Sequence, residues 1–349
     1  MFPLAFPLRL LARDGGGGWV LDPFCGRGTT NFAARLLGMP SVGVDSSPVA
    51  AAIAAVKLVS VRPEDVIDAC TAILRDHGEP REIPQGPFWE GLYHPRTFRD
   101  LCRLRDRLLE HCCTPAEVAL RALVLGVLHG PRTRGEPSYL SNQMPRTYAT
   151  KPEGAVRFWA KRGLHPPYVS VQHLVTRRAW FSLRALPPPV PGRVVLGDSR
   201  SCALAPEGQR FRWVVTSPPY YGMRTYRPDQ WLRNWFVGGP PEVDYTAEGQ
   251  VGLGDAGQFA HSLAQVWARV AGVCVERARL VVRFGALPSM PADARQVLKD
   301  SFRLADAGWR VTTIRDAGLA PTGRRQADQF GQPAGCALRE LDLYAVLEA

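Results

Sequence analysis

The feature that most restricts the fold lies near the start of the chain. Trp19-Val20-Leu21-Asp22 is a short apolar run, Pro23-Phe24-Cys25-Gly26-Arg27-Gly28 turns it, and a helical pattern opens at Thr29-Thr30. The helix is expected to end at Gly38, with Pro40 as its stop. A second strand follows over Ser41–Asp45. Ser46 or Ser47 then caps another helix with Pro48 in its first turn. Strand, helix, strand and helix in this register form a complete βαβ unit, which requires parallel pairing and a crossover. Gly26 and Gly28 allow a tight turn and a close approach of backbone to a ligand. Asp45 ends the second strand, where a carboxylate can take both hydroxyls of a ribose. The pattern points to a nucleoside-bearing cofactor.

A second strand tip carries different chemistry. Phe211-Arg212-Trp213-Val214-Val215-Thr216 is apolar and β-branched, and Ser217-Pro218-Pro219-Tyr220-Tyr221 stops it. Two prolines hold the backbone extended and remove two N–H donors. What remains is a set of acceptors, the Ser217 hydroxyl and the carbonyls of Ser217 and Pro218, next to an aromatic ring from Tyr220. Such a set suits an exocyclic amine on a flat ring, the acceptors taking the amine hydrogens while Tyr220 stacks. The same residues also read as a plain Pro-Pro turn after a strand.

Asp22-Pro23-Phe24-Cys25-Gly26-Arg27-Gly28-Thr29-Thr30 together with Thr216-Ser217-Pro218-Pro219-Tyr220 resembles the amino-group DNA methyltransferases that use S-adenosylmethionine. The serine in the tetrad resembles the cytosine-N4-specific branch; adenine-N6 enzymes more often carry Asp or Asn there. The resemblance implies a Rossmann-like class I methyltransferase fold, with Ser217, Pro218, Pro219 and Tyr220 as catalytic residues. It implies cofactor binding by Asp22, Pro23, Phe24, Cys25, Gly26, Gly28, Thr29 and Thr30, and by Asp45 and Ser46. It further places Phe6 and Pro7 over the methionine end of the cofactor, and Asp198 with Ser199 at the adenine amine. Phe6 and Pro7 read equally as an apolar anchor for the sheet, and Asp198 as a turn or cap aspartate. The reaction implied is transfer of a methyl group to the N4 amine of cytosine in double-stranded DNA, with a restriction endonuclease as a possible companion and a monomer or homodimer as the assembly. Adenine-N6, RNA or protein N-methylation and cofactor-gated DNA binding remain as rivals. Two departures stand out. The glycine motif precedes the tetrad, whereas many enzymes of this branch have the permuted order. Arg27 also replaces a smaller residue between the glycines.

The remaining elements complete a sheet. Strands are expected over 193–196, 280–284, 309–314 and 341–347, and helices over 258–276 and 292–307. Seven strands with helices between most of them predict a doubly wound α/β sheet. The alternation breaks from about 62 to 190. The expected division is therefore a catalytic domain of 1–61 with 191–349, and a helical, basic insert of 62–190. Helical periodicity is clear over 101–110 and 116–128. The stretch 222–257 is long and irregular, which suggests a loop near the active site.

Charge concentrates in the insert. The chain of 349 residues carries 43 Lys and Arg against 32 acids. Between Arg132 and Arg184 ten basic residues face only Glu136 and Glu153. Arginines for phosphates, amides for base edges and aromatics for stacking make this stretch the expected target-recognition region. The candidate DNA-binding residues are Arg132, Arg134, Arg146, Lys151, Lys161, Arg162, Arg177 and Arg178, joined by Arg224 and Arg227 after the tetrad. Interleaved aromatics include Tyr139, Tyr148, Phe158, Trp159, Tyr168, Trp180 and Phe181, some of which must serve the insert's own core.

The eight cysteines form no Cys-x-x-Cys pair, and no histidine cluster has zinc-like spacing, so no metal is expected. Scattered thiols suit a reducing cytosol. No Pro-Cys dipeptide occurs, which argues against a cysteine nucleophile of the ring-carbon methylating type. No apolar run approaches the ~18 residues of a membrane helix, and the apolar start, with Pro3 and Pro7 and no positive lead, does not read as a signal peptide.

Overall fold

A computed structural model describes residues 2–13, 17–76, 78–131, 135–142, 152–205, 208–221, 227–243, 255–285, 293–319 and 339–348. The chain divides into two compact units: Met1–Leu58 with Pro189–Thr225 and Glu248–Ala349, and Val59–Pro188 with Tyr226–Ala247.

The first unit is built on one seven-stranded sheet. Its strands are β1 (Trp19–Asp22), β2 (Ser41–Asp45), β3 (Gly192–Leu196), β4 (Phe211–Thr216), β5 (Cys274–Gly285), β6 (Trp309–Leu319) and β7 (Arg339–Leu347). They lie in the order β3-β2-β1-β4-β5-β7-β6. β3, β2, β1, β4 and β5 run parallel, and β7 inserts antiparallel between β5 and β6. This order, with its one reversed strand, is the Rossmann-like class I methyltransferase fold that the motifs implied.

Side-chain alternation explains why both faces are covered. Val20, Trp213, Val215 and Val281 point to one face, where they pack with Phe6, Leu10 and Leu11 of α1 (Ala5–Ala12) and Ala33 and Ala34 of α2 (Thr29–Leu36). Leu21, Val214, Leu280 and Val282 point to the other, against Phe259, Leu263 and Trp267 of α11 (Ala256–Gly272) and Val297, Leu298 and Phe302 of α12 (Ala294–Ala305). After β2, α3 (Pro48–Ala55) is capped by Ser47, whose Oγ accepts from the Ala50 N–H, with Pro48 at the first position. Of the two candidate caps, Ser47 takes the role and Ser46 is exposed.

The second unit is helical. It contains α4 (Pro63–Arg75), α5 (Pro87–Leu92), α6 (Pro95–Glu110), α7 (Pro115–Val127), α8 (Pro152–Lys161), α9 (Val171–Leu183) and α10 (Arg227–Phe236). Its centre is aromatic: Trp89 stacks on Phe98 at 5.2 Å and meets Trp235 at 4.8 Å, and Phe88 lies 5.3 Å from Trp231. Gly91 has no room for a side chain, because a Cβ there would sit 2.6 Å from the Trp159 ring. Thr114 and Glu117 close a reciprocal capping box at the start of α7.

Three expectations change. The irregular stretch after the tetrad contains α10, whose Trp231, Trp235 and Phe236 are buried in the second unit. Trp231 and Trp235, four apart, share one face of the helix, and Phe236 widens it. The helix expected over 258–276 ends at Gly272, and β5 begins at Cys274. A bulge with Arg277 at φ 59° lets that longer strand re-register on β4. The apolar start of the chain is a helix, with Phe6 and Pro7 buried in it.

Candidate active site at the carboxyl edge of the sheet

β1 and β4 pair in parallel, with Val20 opposite Trp213 and Leu21 opposite Val214. Asp22 and Thr216 therefore end side by side, and the Thr216 hydroxyl donates to Asp22 Oδ1 at 2.6 Å. The Thr30 hydroxyl, in the first turn of α2, donates to the Val215 carbonyl at 3.2 Å. Two bonds thus tie the glycine turn to the strand that carries Ser217. Motifs almost two hundred positions apart share one edge, as the topology of an open α/β sheet requires of a ligand crevice.

The turn itself is held from several sides. Asp22 Oδ1 also accepts from the Phe24 N–H at 3.1 Å. The Cys25 N–H reaches the Val44 carbonyl at 2.9 Å, and the Gly26 N–H reaches Asp45 Oδ2 at 2.8 Å. Gly28 caps α2 in the left-handed region at φ 76°, where a Cβ would also meet the Ala54 backbone at 3.0 Å. Gly26, at φ 52°, has nothing within 4 Å of the place a Cβ would take, so its backbone faces open space. Cys25 is buried against Gly43, whose Cβ would stand 2.9 Å from the Cys25 Cβ. Burial with two nearby carboxylates pushes the Cys25 thiol well above its ordinary range, so it is an inert packing group.

Burial shifts both acids upward. Asp22 is raised to about 6 by desolvation, against the pull of its hydrogen bonds from Thr216 and Phe24 and of the nearby Thr30 hydroxyl. Asp45 is raised by desolvation too, while the Ser47 and Gly26 N–H groups pull it back. Each Asp45 oxygen takes one backbone N–H, from Gly26 or from Ser47 at 2.9 Å. Further acceptor capacity remains on both, since a carboxylate offers about four lone-pair sites.

Other expected cofactor residues are committed inside the protein. Ser199 is buried and donates to the Pro23 carbonyl at 2.6 Å, bracing the glycine turn. Asp198 is gripped by Arg200, Nε at 3.0 Å to both oxygens and Nη2 at 2.6 Å, and this holds its carboxyl below the usual range. An adenine amine at Asp198 would share the carboxylate with Arg200, since the side chain stays 40 % exposed. Phe6 is 4 % exposed and its ring lies under the Arg283 guanidinium at 3.7 Å, so it belongs to the core of the sheet. Pro7 is buried beside it in α1.

The tetrad corrects another expectation. Ser217 and Pro219 are partly exposed and Pro218 is buried. Tyr220 is only 6 % exposed, so its ring offers no open face for a base. The ring packs edge-on to Phe284 at 6.2 Å and 3.3 Å from where a Gly285 Cβ would lie, and the phenol donates to Glu340 Oε1 at 2.6 Å. Next to it the Tyr221 N–H bonds the Gly285 carbonyl at 3.2 Å. Desolvation first, then Glu340, pushes the Tyr220 phenol well above its ordinary range. Glu340 sits on β7 opposite Gly285, and Arg283 sits opposite Asp342. Arg283 forms a two-pronged pair with Asp342, 2.8 Å on each arm, and its Nη1 lies 4.0 Å from Glu340. Sequence reasoning missed this cluster. Its signal was available: a lone arginine in Val281-Val282-Arg283-Phe284, and acids two apart in Glu340-Leu341-Asp342, inside otherwise apolar strands.

In the helical unit, Arg162 lies over the Phe158 ring at 3.9 Å. Arg177 donates to the Pro137 carbonyl and pairs with Glu136 at 3.0 Å. Arg178 donates to the Ser138 carbonyl at 3.1 Å. Lys161 closes α8. Trp159 and Asn142 are buried, whereas Tyr168, Trp180 and Phe181 are exposed. Arg132, Arg134, Arg146, Lys151 and Arg224 lie outside the described residues, as does the side chain of Arg227. Among the described residues no group of three His, Cys, Asp or Glu side chains is placed to hold a metal ion, and no helix is long and apolar enough to cross a membrane.

No protein-family model matches the sequence, and no curated protein does. Solved structures similar to the chain include TrmN from Thermus thermophilus, at 12 % identity over 99 % of this chain and 48 % of that one, with a TM-score of 0.34. The chain spans about half the length of that protein. The rRNA methyltransferase aviRa from Streptomyces viridochromogenes is 15 % identical over 99 % of this chain and 85 % of its own, with a TM-score of 0.35. A SAM-dependent methyltransferase from Methanosarcina mazei is 9 % identical over 100 % and 98 %, with a TM-score of 0.37.

Proposed function

We propose that the chain is an S-adenosylmethionine-dependent methyltransferase acting on the N4 amine of cytosine in DNA. The observation that carries this reading is the Thr216–Asp22 hydrogen bond, which joins the glycine turn and the Ser-Pro-Pro-Tyr tip at one edge. The residues present suit the cofactor in part. The open backbone face at Gly26 admits a ligand, and Asp45 retains lone pairs for ribose hydroxyls. Asp198 would have to serve Arg200 and the cofactor together. When bound, S-adenosylmethionine supplies a methyl group on a positively charged sulfur.

The protein's own contribution is to hold an amine. A cytosine amine is a weak nucleophile because its lone pair is delocalised into the ring. The Ser217 hydroxyl and the Pro218 carbonyl accept its two hydrogens, which favours a pyramidal nitrogen with its lone pair free. Positioning then supplies most of the rate, and fixed acceptors stabilise the positive charge that grows on nitrogen. The base must leave the duplex to reach this edge. With Tyr220 buried, the everted base is held by these polar contacts rather than by stacking on that ring.

Ser217→Ala tests the reading. Transfer of labelled methyl to DNA should fall at least a hundredfold, as for loss of a positioned transition-state hydrogen bond, with S-adenosylmethionine affinity unchanged by calorimetry. Unaltered turnover rejects the role of Ser217. Digestion of the product to nucleosides identifies the base; N6-methyladenine would move the substrate to the adenine branch, and label confined to RNA or protein would remove DNA altogether.

A further inference from the structure

We propose that double-stranded DNA docks on the outer face of α9 (Val171–Leu183), where Arg177 and Arg184 grip phosphates and Trp180 and Phe181 make the apolar contact. This deepens the function proposed above, naming the surface of the helical unit that holds the substrate, and rests on it. The helix carries large apolar side chains on two faces. Val171, Leu174, Val175, Ala179 and Leu183 are buried, and they form the face that a packed helix needs. On the opposite side His173, Arg177, Trp180 and Arg184 follow at intervals of four, three and four, which lines them up along one stripe. Arg184 still has helical backbone, φ −60° and ψ −21°, so the stripe is unbroken to its end. Phe181 stands beside it, four residues after Arg177. Trp180 is 46 % exposed and Phe181 75 %. Single exposed apolar residues are ordinary, but two neighbouring aromatics on a face with no core to fill mark a surface for a partner.

The charge on that face says which partner. From 154 to 197 the chain holds seven Lys or Arg and no Asp or Glu. Arg177 and Arg184 are two helical turns apart, about 10 Å along the axis, with Trp180 between them. Glu136 reaches the stripe from the preceding loop, 3.0 Å from Arg177 and 3.7 Å from His173. All three of these side chains face solvent, so an anion from outside can take the place of the carboxylate. A guanidinium fork pairs with phosphate as it does with carboxylate. Arg178 is not part of this face. It donates to the Ser138 carbonyl at 3.1 Å and lies over the Tyr139 ring at 5.8 Å, so it braces the unit. Cations alternating with aromatic rings fit a duplex, whose phosphates take the guanidiniums and whose base steps take an apolar side chain.

The test uses the full chain and a short fluorescein-labelled DNA duplex, with affinity read by anisotropy across a series of salt concentrations. Arg184→Gln should weaken binding about fivefold and lower the slope of log K against log salt by about 1, the signature of one lost phosphate contact. Trp180→Ala combined with Phe181→Ala should weaken it about tenfold and leave the slope as in the parent, since no charge is removed. Glu136→Gln should act in the opposite direction and tighten binding, because it withdraws the competing carboxylate from Arg177. A merely structural role for this face would not produce a gain. Each substitution lies on the solvent side and should melt with the parent. Affinity and slope unchanged in Arg184→Gln and in the aromatic pair overturn the proposal, as does weaker binding by Glu136→Gln, or tighter binding of an RNA duplex of the same sequence than of the DNA. If the aromatic variant does not fold, Arg184→Gln and Glu136→Gln decide through their opposite signs. A parent that binds and methylates DNA while the variants are indifferent loses only this docking face. A chain whose variants behave as expected but which transfers no methyl to DNA keeps the face and loses the proposed reaction.

Discussion

The two units treat buried polar groups differently. At the carboxyl edge of the sheet they are linked: Thr216 to Asp22, Thr30 to the Val215 carbonyl, Ser199 to the Pro23 carbonyl, Tyr220 to Glu340, and Arg283 to Asp342. In the helical unit, Arg121 Nε, both ring nitrogens of His129, Ser141 Oγ, Trp159 Nε1 and Gln172 Oε1 are buried without a partner among the described residues. In the sheet unit the corresponding atoms are Asn31 Oδ1 and Trp213 Nε1, and neither belongs to the tetrad. An unpaired buried group costs about 1–3 kcal/mol. A preorganised polar edge is what catalysis needs, and the sheet unit has one. The helical unit is held by aromatic packing, with single buried bonds, Tyr93 to the Leu128 carbonyl and Thr97 to the Val169 carbonyl, beside those unpaired atoms.

The sharpest way to break this contrast is to damage the aromatic centre. Trp89 is 5 % exposed and touches Phe88, Tyr93, Phe98, Trp231 and Trp235. Trp89→Ala should cost about 3–5 kcal/mol of stability, read by urea denaturation, while S-adenosylmethionine affinity stays within threefold at a temperature where the variant is folded. A parallel collapse of cofactor affinity would show that the cofactor edge depends on the aromatic core and is not self-contained.

A second test addresses the sheet edge. Asp22 is wholly buried and raised to about 6 from 3.8. The folded state therefore binds a proton more tightly than the unfolded state, and this contribution to stability is lost as pH rises from about 4 through 6. Above that window the ionised carboxylate destabilises the fold by about 3 kcal/mol, at 1.36 kcal/mol per unit. Asp22→Asn keeps an oxygen for Thr216 and Phe24 but carries no charge. It should be more stable than wild type at pH 7.5, by up to about 3 kcal/mol, with the gap closing near pH 4, and it should bind S-adenosylmethionine more weakly. A variant less stable than wild type at pH 7.5 would mean that the charge is not a burden there.

The strands of the first unit were readable because each signal is local. β1, β2 and β4 run from Trp19 to Asp22, Ser41 to Asp45 and Phe211 to Thr216, where apolar β-branched runs meet glycine or proline. The shared edge followed from topology, since parallel neighbours end on the same side. What the residues alone did not reveal was where side chains go. Tyr220 looked like a stacking platform, but its partner Glu340 lies 120 positions away. The stretch 222–257 looked like an irregular loop near the active site, yet its Trp231, Trp235 and Phe236 are buried in the helical unit. Trp159 suited a DNA-reading surface by type and is buried. Composition marks a basic, aromatic stretch; only the neighbours decide which aromatics are core.

The smallest predicted effect is the mirror image of Asp22 in the other unit. His129 is buried, and desolvation, aided by Arg233, lowers it from 6.5 to about 3. Its folded state binds protons more weakly than the unfolded chain, so stability from the neutral ring is full above pH 6.5 and is lost as pH falls toward 3. At pH 5 the loss is about 2 kcal/mol. Among the described residues the ring nitrogens have no partner to forfeit, so an apolar residue of similar size should be tolerated. His129→Leu should match wild type at pH 7.5 within about 1 kcal/mol and exceed it at pH 5. Asp22→Asn gains on the alkaline side and His129→Leu on the acid side, so combining them should flatten the pH profile from both ends. A His129→Leu chain that is weaker at pH 7.5 would mean that the imidazole has a partner in the folded protein, and the contrast between a polar edge and an unorganised helical interior would fail at that residue.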